Sequence, residues 1–171
     1  MELFLQRRML LSQILGENSA VIIVGNNAKT RSKNINYHFR PDNDLYYLSG
    51  FTEPNSVMVL RPSHESSFVM FTRPNDQVAE TNFGARAGLD GIKSKFGVDQ
   101  AFAIDEINKK LPQLLLGREK VYYLDEQEIY SHNIFNWLNH QRKNSGFDVI
   151  KEYRQLLPLA PILHNLRVVK S

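Results

Sequence analysis

Short apolar runs separated by turn residues constrain the fold of this chain more than any other feature of its sequence. The run AVIIVG (20–25) is rich in β-branched residues and ends in Gly, which is typical of a buried strand. The runs SVMVL (56–60) and SFVMF (67–71) flank the polar turn RPSHES and predict a β-hairpin. Three later runs predict further strands: AFAI (101–104), KVYYL (120–124) and FDVI (147–150). The chain is therefore expected to be built around a β-sheet.

Segments with helical periodicity surround and separate these strands. An opening amphipathic helix is predicted from Phe4, Leu11, Ile14 and Leu15, with Gly16 as its stop. Two short helical pieces are expected in DQVAETN and LDGIKSKFG, after the hairpin.

The second half alternates helices and strands. A helix capped by Asp105 is predicted from the spacing of Ile107, Leu111 and Leu114, with Pro112 inside it. A further helix is predicted from Tyr130, Ile134, Trp137 and Leu138, and a last one begins near Pro161. Strands followed by alternating helices and strands imply a mixed central sheet with helices on both faces, which is a three-layer α/β/α fold.

Composition limits the classes of protein that this chain can belong to. With 171 residues, 42% of them hydrophobic, it is expected to form one globular domain. The absence of Cys agrees with a reducing compartment, so the expected location is the cytoplasm. The apolar start is interrupted by Arg7 and Arg8 and resembles mature protein rather than a signal peptide, and no run is long enough to span a membrane. The net charge of +3 looks mild and spread along the chain, so neither nucleic acid nor a membrane is an expected partner.

No self-contained active site is visible in the sequence. The five His residues form no HExxH arrangement, and His64 and His132 are expected to be solvated. Asp42 and Asp44 could hold Mg²⁺ or Mn²⁺, but capping of the following helical turn is the favoured interpretation. The segment VGNNAKTRS lacks the second Gly of a phosphate-binding loop, because Ala28 stands in its place, and no G-x-S-x-G motif occurs.

Several segments resemble the N-terminal domain of aminopeptidase P, also called Xaa-Pro aminopeptidase. The most specific is FRPDNDLYYLSGFTEPNSVMVL (39–60), and FTRPNDQVAETNFGARAG (71–88) resembles that family's Arg-x-x-Asp and Glu-aromatic-x-Gly-x-Arg segment. ILHNLRVVKS (162–171) resembles the family's hinge sequence. The resemblance implies a creatinase/prolidase N-terminal domain-like fold with a ribonuclease H-like motif. It implies a domain over residues 1–160 and a linker helix or hinge over 161–171, leading to a pita-bread catalytic domain that is absent from this chain.

The resemblance also implies a function. The full-length enzyme would be a metallo-aminopeptidase that releases an N-terminal residue preceding proline, with two manganese ions in the missing catalytic domain. No metal ligand or catalytic residue maps to this chain, and the chain alone is expected to be inactive. Its expected role is to help form a homo-oligomer, a dimer or tetramer, and to shape access to the active site. Alternatives are a prolidase or creatinase relative, or a stand-alone module that binds peptides or proteins.

Two groups of residues are implied by the resemblance as sites. Glu80, Asn82, Phe83 and Arg86 are candidates for the substrate mouth or a subunit interface, with Asn82 where the family usually has an aromatic ring. An alternative interpretation of two of these residues is that Phe83 belongs to the core and that Arg86 is a solvated surface cation. The second group is expected to form an internal framework of Arg, carboxylate and aromatic side chains: Arg40, Asp42, Asp44, Tyr46 and Tyr47.

Overall fold

The centre of the fold is strand β1 (Ser19–Val24), in which every residue is buried. A computed structural model describes residues 2–32, 35–126, 128–134, 136 and 155–168. In β1, Val21 and Ile23 point to one face of the sheet, and Ala20 and Ile22 point to the other. Burial on both faces is why this run is continuously apolar rather than alternating.

Six strands form a mixed sheet in the order β6-β5-β4-β1-β7-β8. The strands around β1 are β4 (Val57–Leu60), β5 (Phe68–Thr72), β6 (Gln100–Ala103), β7 (Lys120–Leu124) and β8 (Gln155–Pro158). The pairs β1/β4 and β4/β5 are antiparallel, and the pairs β1/β7, β7/β8 and β5/β6 are parallel. The predicted hairpin and mixed sheet are therefore confirmed. A separate two-stranded sheet pairs β2 (Thr30–Ser32) with β3 (Ile35–Asn36).

Helices cover both faces of the large sheet, which confirms the predicted layers. The face of Val21 and Ile23 is covered by α1 (Glu2–Leu15), α2 (Asn43–Ser49), α4 (Gly88–Phe96) and α6 (Ala160–Val168). The opposite face is covered by α5 (Ile107–Leu114) and by a helical turn over 131–134. Helix α3 (Gln77–Phe83) lies between β5 and α4 in sequence, and none of its described side chains belongs to either buried cluster. No helix among the described residues is long and apolar enough to cross a bilayer.

Some sequence predictions differ from the structure in detail. Asp105 lies in a 3₁₀ helix, Ile104–Glu106, and no side chain caps α5, so the predicted cap is wrong. Strand β8 was not expected, while the strand predicted at 147–150 and the helix positions Trp137 and Leu138 lie outside the described residues. Helix α6 begins where expected and buries Leu163 and Leu166 in the core, and its role as a linker stays a prediction.

Candidate functional site

Asp42 initiates helix α2 by capping it. Its Oδ1 accepts hydrogen bonds from the backbone N–H groups of Asp44 (3.0 Å) and Leu45 (2.7 Å). Asp42 itself has an extended backbone, and the helix ends at Gly50 in the left-handed conformation with φ of 74°. These N–H groups have no partner inside the helix, so the carboxylate stabilises its first turn. The capping interpretation of Asp42 is confirmed.

Asp44 forms an ion pair with Arg167 on the last turn of α6. The Asp44 side chain is 13% exposed and that of Arg167 is 38% exposed. Burial raises the pKa of the Asp44 carboxyl, while the positive charge of Arg167 opposes this rise. Arg40 was expected to belong to an internal Arg-carboxylate framework. It lies at the surface instead, and the guanidinium that pairs with Asp44 comes from the far end of the chain.

Tyr47 lies between two guanidinium groups. The centre of its ring is 4.1 Å from Cζ of Arg7 and 5.2 Å from Cζ of Arg167. Arg7 also donates from Nη1 to the Tyr47 carbonyl oxygen at 2.9 Å. The neighbouring Tyr46 is 46% exposed and meets the ring of Phe4 edge-on, so it is less internal than expected. These contacts connect α1, α2 and α6, and we call this group, with Asp42 and Asp44, the α2 framework.

Arg8 on α1 is a buried cation that the sequence analysis did not single out. It is 5% exposed, donates from Nη1 to the Leu48 carbonyl oxygen at 2.8 Å, and stacks 4.0 Å above the centre of the Phe68 ring. Burial lowers the pKa of Arg8 to about 10. A signal was present in the sequence, because Arg8 precedes the buried Leu11 and Leu15 by three and seven positions and so shares their helical face. The predicted core residue Ile14 is 54% exposed.

The second candidate group lies on residues 73–88, which we call the α3 loop. Asp76 caps α3 by accepting hydrogen bonds from Val78 N and Ala79 N. Glu80 accepts hydrogen bonds from Asn75 Nδ2 at 3.0 Å and from Asp76 N at 3.2 Å. These hydrogen bonds, with that from Asn75 contributing most, lower the pKa of the Glu80 carboxyl. Glu80 is therefore held by its own loop.

Glu53 attaches the α3 loop to the rest of the domain. Glu53 accepts the backbone N–H of Ala87 at 2.6 Å through Oε1, and its Oε2 lies 3.4 Å from Nη2 of Arg73. Burial, followed by repulsion from Arg86, lowers the pKa of Arg73. Arg86 donates from Nη1 to the Pro74 carbonyl oxygen at 3.1 Å, which closes the base of the loop.

Among the described side chains of α3, the exposed ones are polar except for Val78. Asn82 is exposed and donates to the Val78 carbonyl oxygen at 3.1 Å, and Val78 is 75% exposed. The structure thus brings Glu80 and Arg86 to the base of one loop and leaves Asn82 on its surface. The side chain of Phe83 lies outside the described residues, so its expected core or contact role stays a prediction.

The charged side chains of the α2 framework and of the α3 loop form hydrogen bonds or ion pairs within the domain. His64 and His132 are exposed as expected. Within the described ranges, no three His, Asp or Glu side chains converge as a metal site. Asp42 and Asp44 do not offer a divalent site, because one caps a helix and the other faces a guanidinium. The described polar side chains of the α2 framework and of the α3 loop therefore stabilise the fold, and the α3 loop also presents an exposed surface.

Comparisons with known proteins agree with these observations. Residues 4–123 match the family described as "Aminopeptidase P, N-terminal domain". The chain is 34% identical over 170 residues to the Xaa-Pro aminopeptidase of Escherichia coli, covering 98% of this chain and 38% of that protein. It is 36% identical over 124 residues to intermediate cleaving peptidase 55 of Saccharomyces cerevisiae, covering 70% of this chain and 24% of that protein. A solved structure of the aminopeptidase PepP of Pseudomonas aeruginosa superposes with a TM-score of 0.89 at 32% identity, covering 98% of this chain and 38% of that one. The chain thus spans well under half the length of the relatives it matches.

Proposed function

The chain belongs to the family of aminopeptidase P N-terminal domains, and on this premise we propose that it is the non-catalytic N-terminal domain of a metal-dependent Xaa-Pro aminopeptidase. The whole enzyme would release the N-terminal residue of peptides with proline at the second position. The observation that carries the proposal is the match over 98% of this chain to only 38% of an Xaa-Pro aminopeptidase. The engagement of Asp42, Asp44 and Glu80 in fold-stabilising contacts also favours a domain without its own catalytic machinery.

The α3 loop is proposed as the part of this domain that meets a substrate mouth or a neighbouring subunit. Its support is physical: the loop is closed at its base by Arg86, tied to the body by Glu53, and carries an exposed Val78 and Asn82 on its outer surface. A rigid loop loses little conformational entropy when it binds, which suits a contact surface. The proposed assembly is a homo-oligomer, and the proposed location is the cytoplasm.

The two metal ions, proposed to be manganese, would be held by the catalytic domain. Bound metal ions of this kind activate water and polarise a scissile carbonyl. The side chains described here do not supply a ligand set for such a pair, so no catalytic step is assigned to this chain.

An activity comparison tests the proposal. The longer natural reading frame, expressed beside residues 1–171, is assayed on an Xaa-Pro peptide with added manganese. We expect turnover by the longer protein and none by the 171-residue chain. Turnover by the short chain would contradict the proposal that catalysis belongs to a separate domain. A stop codon directly after Ser171 would favour a stand-alone binding module instead.

A second assay tests the role of the α3 loop in the longer protein. We expect Asn82→Asp to change KM or the subunit assembly, because it adds a charge to the outer surface of the loop without removing a contact to the domain body. The matched control is Asn108→Asp on α5, the same substitution at an exposed position on the opposite face of the sheet. Equal KM values and equal assembly for Asn82→Asp, the control and the parent would refute the loop's proposed role.

A further inference from the structure

One segment of this chain carries Lys and Arg residues without any Asp or Glu. Residues 18–41 contain four Lys or Arg residues and no Asp or Glu, whereas the remainder of the sequence contains 17 Lys or Arg and 18 Asp or Glu. The segment therefore carries a net charge of +4 and the remainder −1, while the Lys and Arg residues themselves are spread along the chain as expected. A stretch with cations and no carboxylates has a local positive potential that attracts anionic partners.

Hydrogen bonds connect the described parts of this segment on either side of residues 33–34. The N–H of Tyr37 donates to the Lys29 carbonyl oxygen at 2.9 Å, directly beside the pairing of β2 with β3. Asn26 donates from Nδ2 to the Arg40 carbonyl oxygen at 3.0 Å. The N–H of Ala28 donates to Asn55 Oδ1 at 3.4 Å. The two arms of the segment are thereby held side by side, so Lys29 and Arg40 belong to one surface.

A concavity of about 150 Å³ lies between the two arms, and we call it the basic concavity. Its lining includes Asn26, Asn27, Lys29, Tyr37, His38 and Arg40, and it contains no carboxylate. Lys29, His38 and Arg40 are exposed, and Tyr37 is 59% exposed. Across the part of the chain that the structure describes, no carboxylate lies within ion-pair distance of Lys29 or Arg40. The cations of the concavity are therefore available to a ligand.

We propose that the basic concavity binds a carboxylate side chain of an acidic peptide. Ammonium and guanidinium groups donate strong, charge-assisted hydrogen bonds to carboxylates, and both kinds of donor line this concavity. The exposed Tyr37 ring offers an apolar surface for the methylene groups of a Glu side chain. This surface is a property of the 171-residue chain itself and does not depend on a catalytic domain.

The size of the site favours a peptide over nucleic acid. Affinity for nucleic acid grows with the number of phosphates that are neutralised along a strand. The concavity accommodates one anionic group, and the whole segment has only four Lys or Arg residues. A single peptide carboxylate therefore suffices to fill the concavity.

An NMR titration of the 171-residue chain at low salt tests this proposal. The probe is an unstructured peptide of alternating Glu and Gly, and the reference is the same peptide with Gln in place of Glu. We expect amide shifts confined to residues around 26–40, no shifts with the Gln peptide, and loss of binding as salt screens the charges. We expect the double substitution Lys29→Gln/Arg40→Gln to weaken affinity about tenfold, because it removes two charge-assisted contacts.

The matched control is Lys93→Gln/Lys95→Gln on α4, which removes the same net charge from another exposed surface. We expect it to change affinity less than twofold. Equal weakening by both variants would overturn the proposal by showing that net charge alone attracts the peptide. Tighter binding of a single-stranded oligonucleotide of equal charge would overturn it in favour of nucleic acid. Inorganic phosphate that binds as tightly as the peptide would overturn it in favour of a simple anion site.

Discussion

The ion pair between Asp44 and Arg167 predicts an asymmetric effect on stability. Asp44 is nearly buried, whereas the Arg167 side chain is more than one-third exposed and reaches the framework from the end of α6. Replacing Arg167 with Met keeps an apolar stem beside Tyr47 but leaves the Asp44 charge without its partner. Replacing Asp44 with Asn removes the buried charge and leaves a guanidinium that can turn towards water.

The expected loss of stability follows from the exposed fractions of the Asp44 and Arg167 side chains. Removing one member of a fully buried pair costs about 3–5 kcal/mol in the free energy of unfolding. Because the Arg167 side chain is 38% exposed, solvent screens the pair, and we expect Arg167→Met to cost about 2 kcal/mol at neutral pH. We expect Asp44→Asn to cost less than about 1 kcal/mol, because it relieves the desolvation that raises the carboxyl pKa.

The pH dependence gives a second, independent readout. The pKa of Asp44 in the folded chain is raised above its ordinary value of 3.8, and loss of Arg167 raises this pKa further. The folded state then binds a proton more tightly than the unfolded state. The free energy of unfolding therefore falls as pH rises from the unfolded-state pKa of Asp44 to its higher folded-state pKa. The stability deficit of Arg167→Met is therefore expected to be largest at neutral pH and to shrink as the solution is acidified towards pH 4.

Urea denaturation of the 171-residue chain, followed by far-UV circular dichroism at several pH values, measures both effects. The matched control is Lys93→Met, which removes a cation from the last turn of α4 without a buried carboxylate opposite it. A deficit for Arg167→Met equal to that of the control, or one that grows on acidification, would refute the reasoning.

Three further changes test the fold. Asp42→Ala is expected to lower the free energy of unfolding in urea by about 1–2 kcal/mol, because two helix N–H groups lose their acceptor. The matched control, Asp76→Ala on the exposed helix α3, is expected to lower it less. Equal losses for the two variants would contradict this reasoning. Leu11→Ala is expected to cost about 3 kcal/mol, since Leu11 is fully buried, and a cost below 1 kcal/mol would argue against its place in the core. Glu53→Ala is expected to speed hydrogen exchange of the Ala87 amide because it removes the acceptor, and unchanged exchange there would show that Glu53 does not hold the loop.

The sequence by itself determined the local elements. Runs of apolar residues marked β1, β4 and β5, because a strand buried on both faces has no polar alternation. The Val and Tyr residues of KVYYL marked β7, which is only partly buried. The cap at Asp42 was also readable, since a short carboxylate before a helical turn satisfies N–H groups that no other part of the helix can reach. The layered architecture followed from the order of these elements.

Only the tertiary structure decided which distant groups meet. Strand β8 carries a weak signal in Gln155–Pro158 and is a strand because it pairs with β7, on the outer edge of the sheet. The partner of Asp44 is Arg167, more than 120 positions away, rather than the nearby Arg40. Side-chain spacing specifies the face of one element, but the position of that face against another element depends on packing of the whole core. For the same reason Lys29 and Arg40 line one concavity only because the backbone brings Lys29 beside Tyr37.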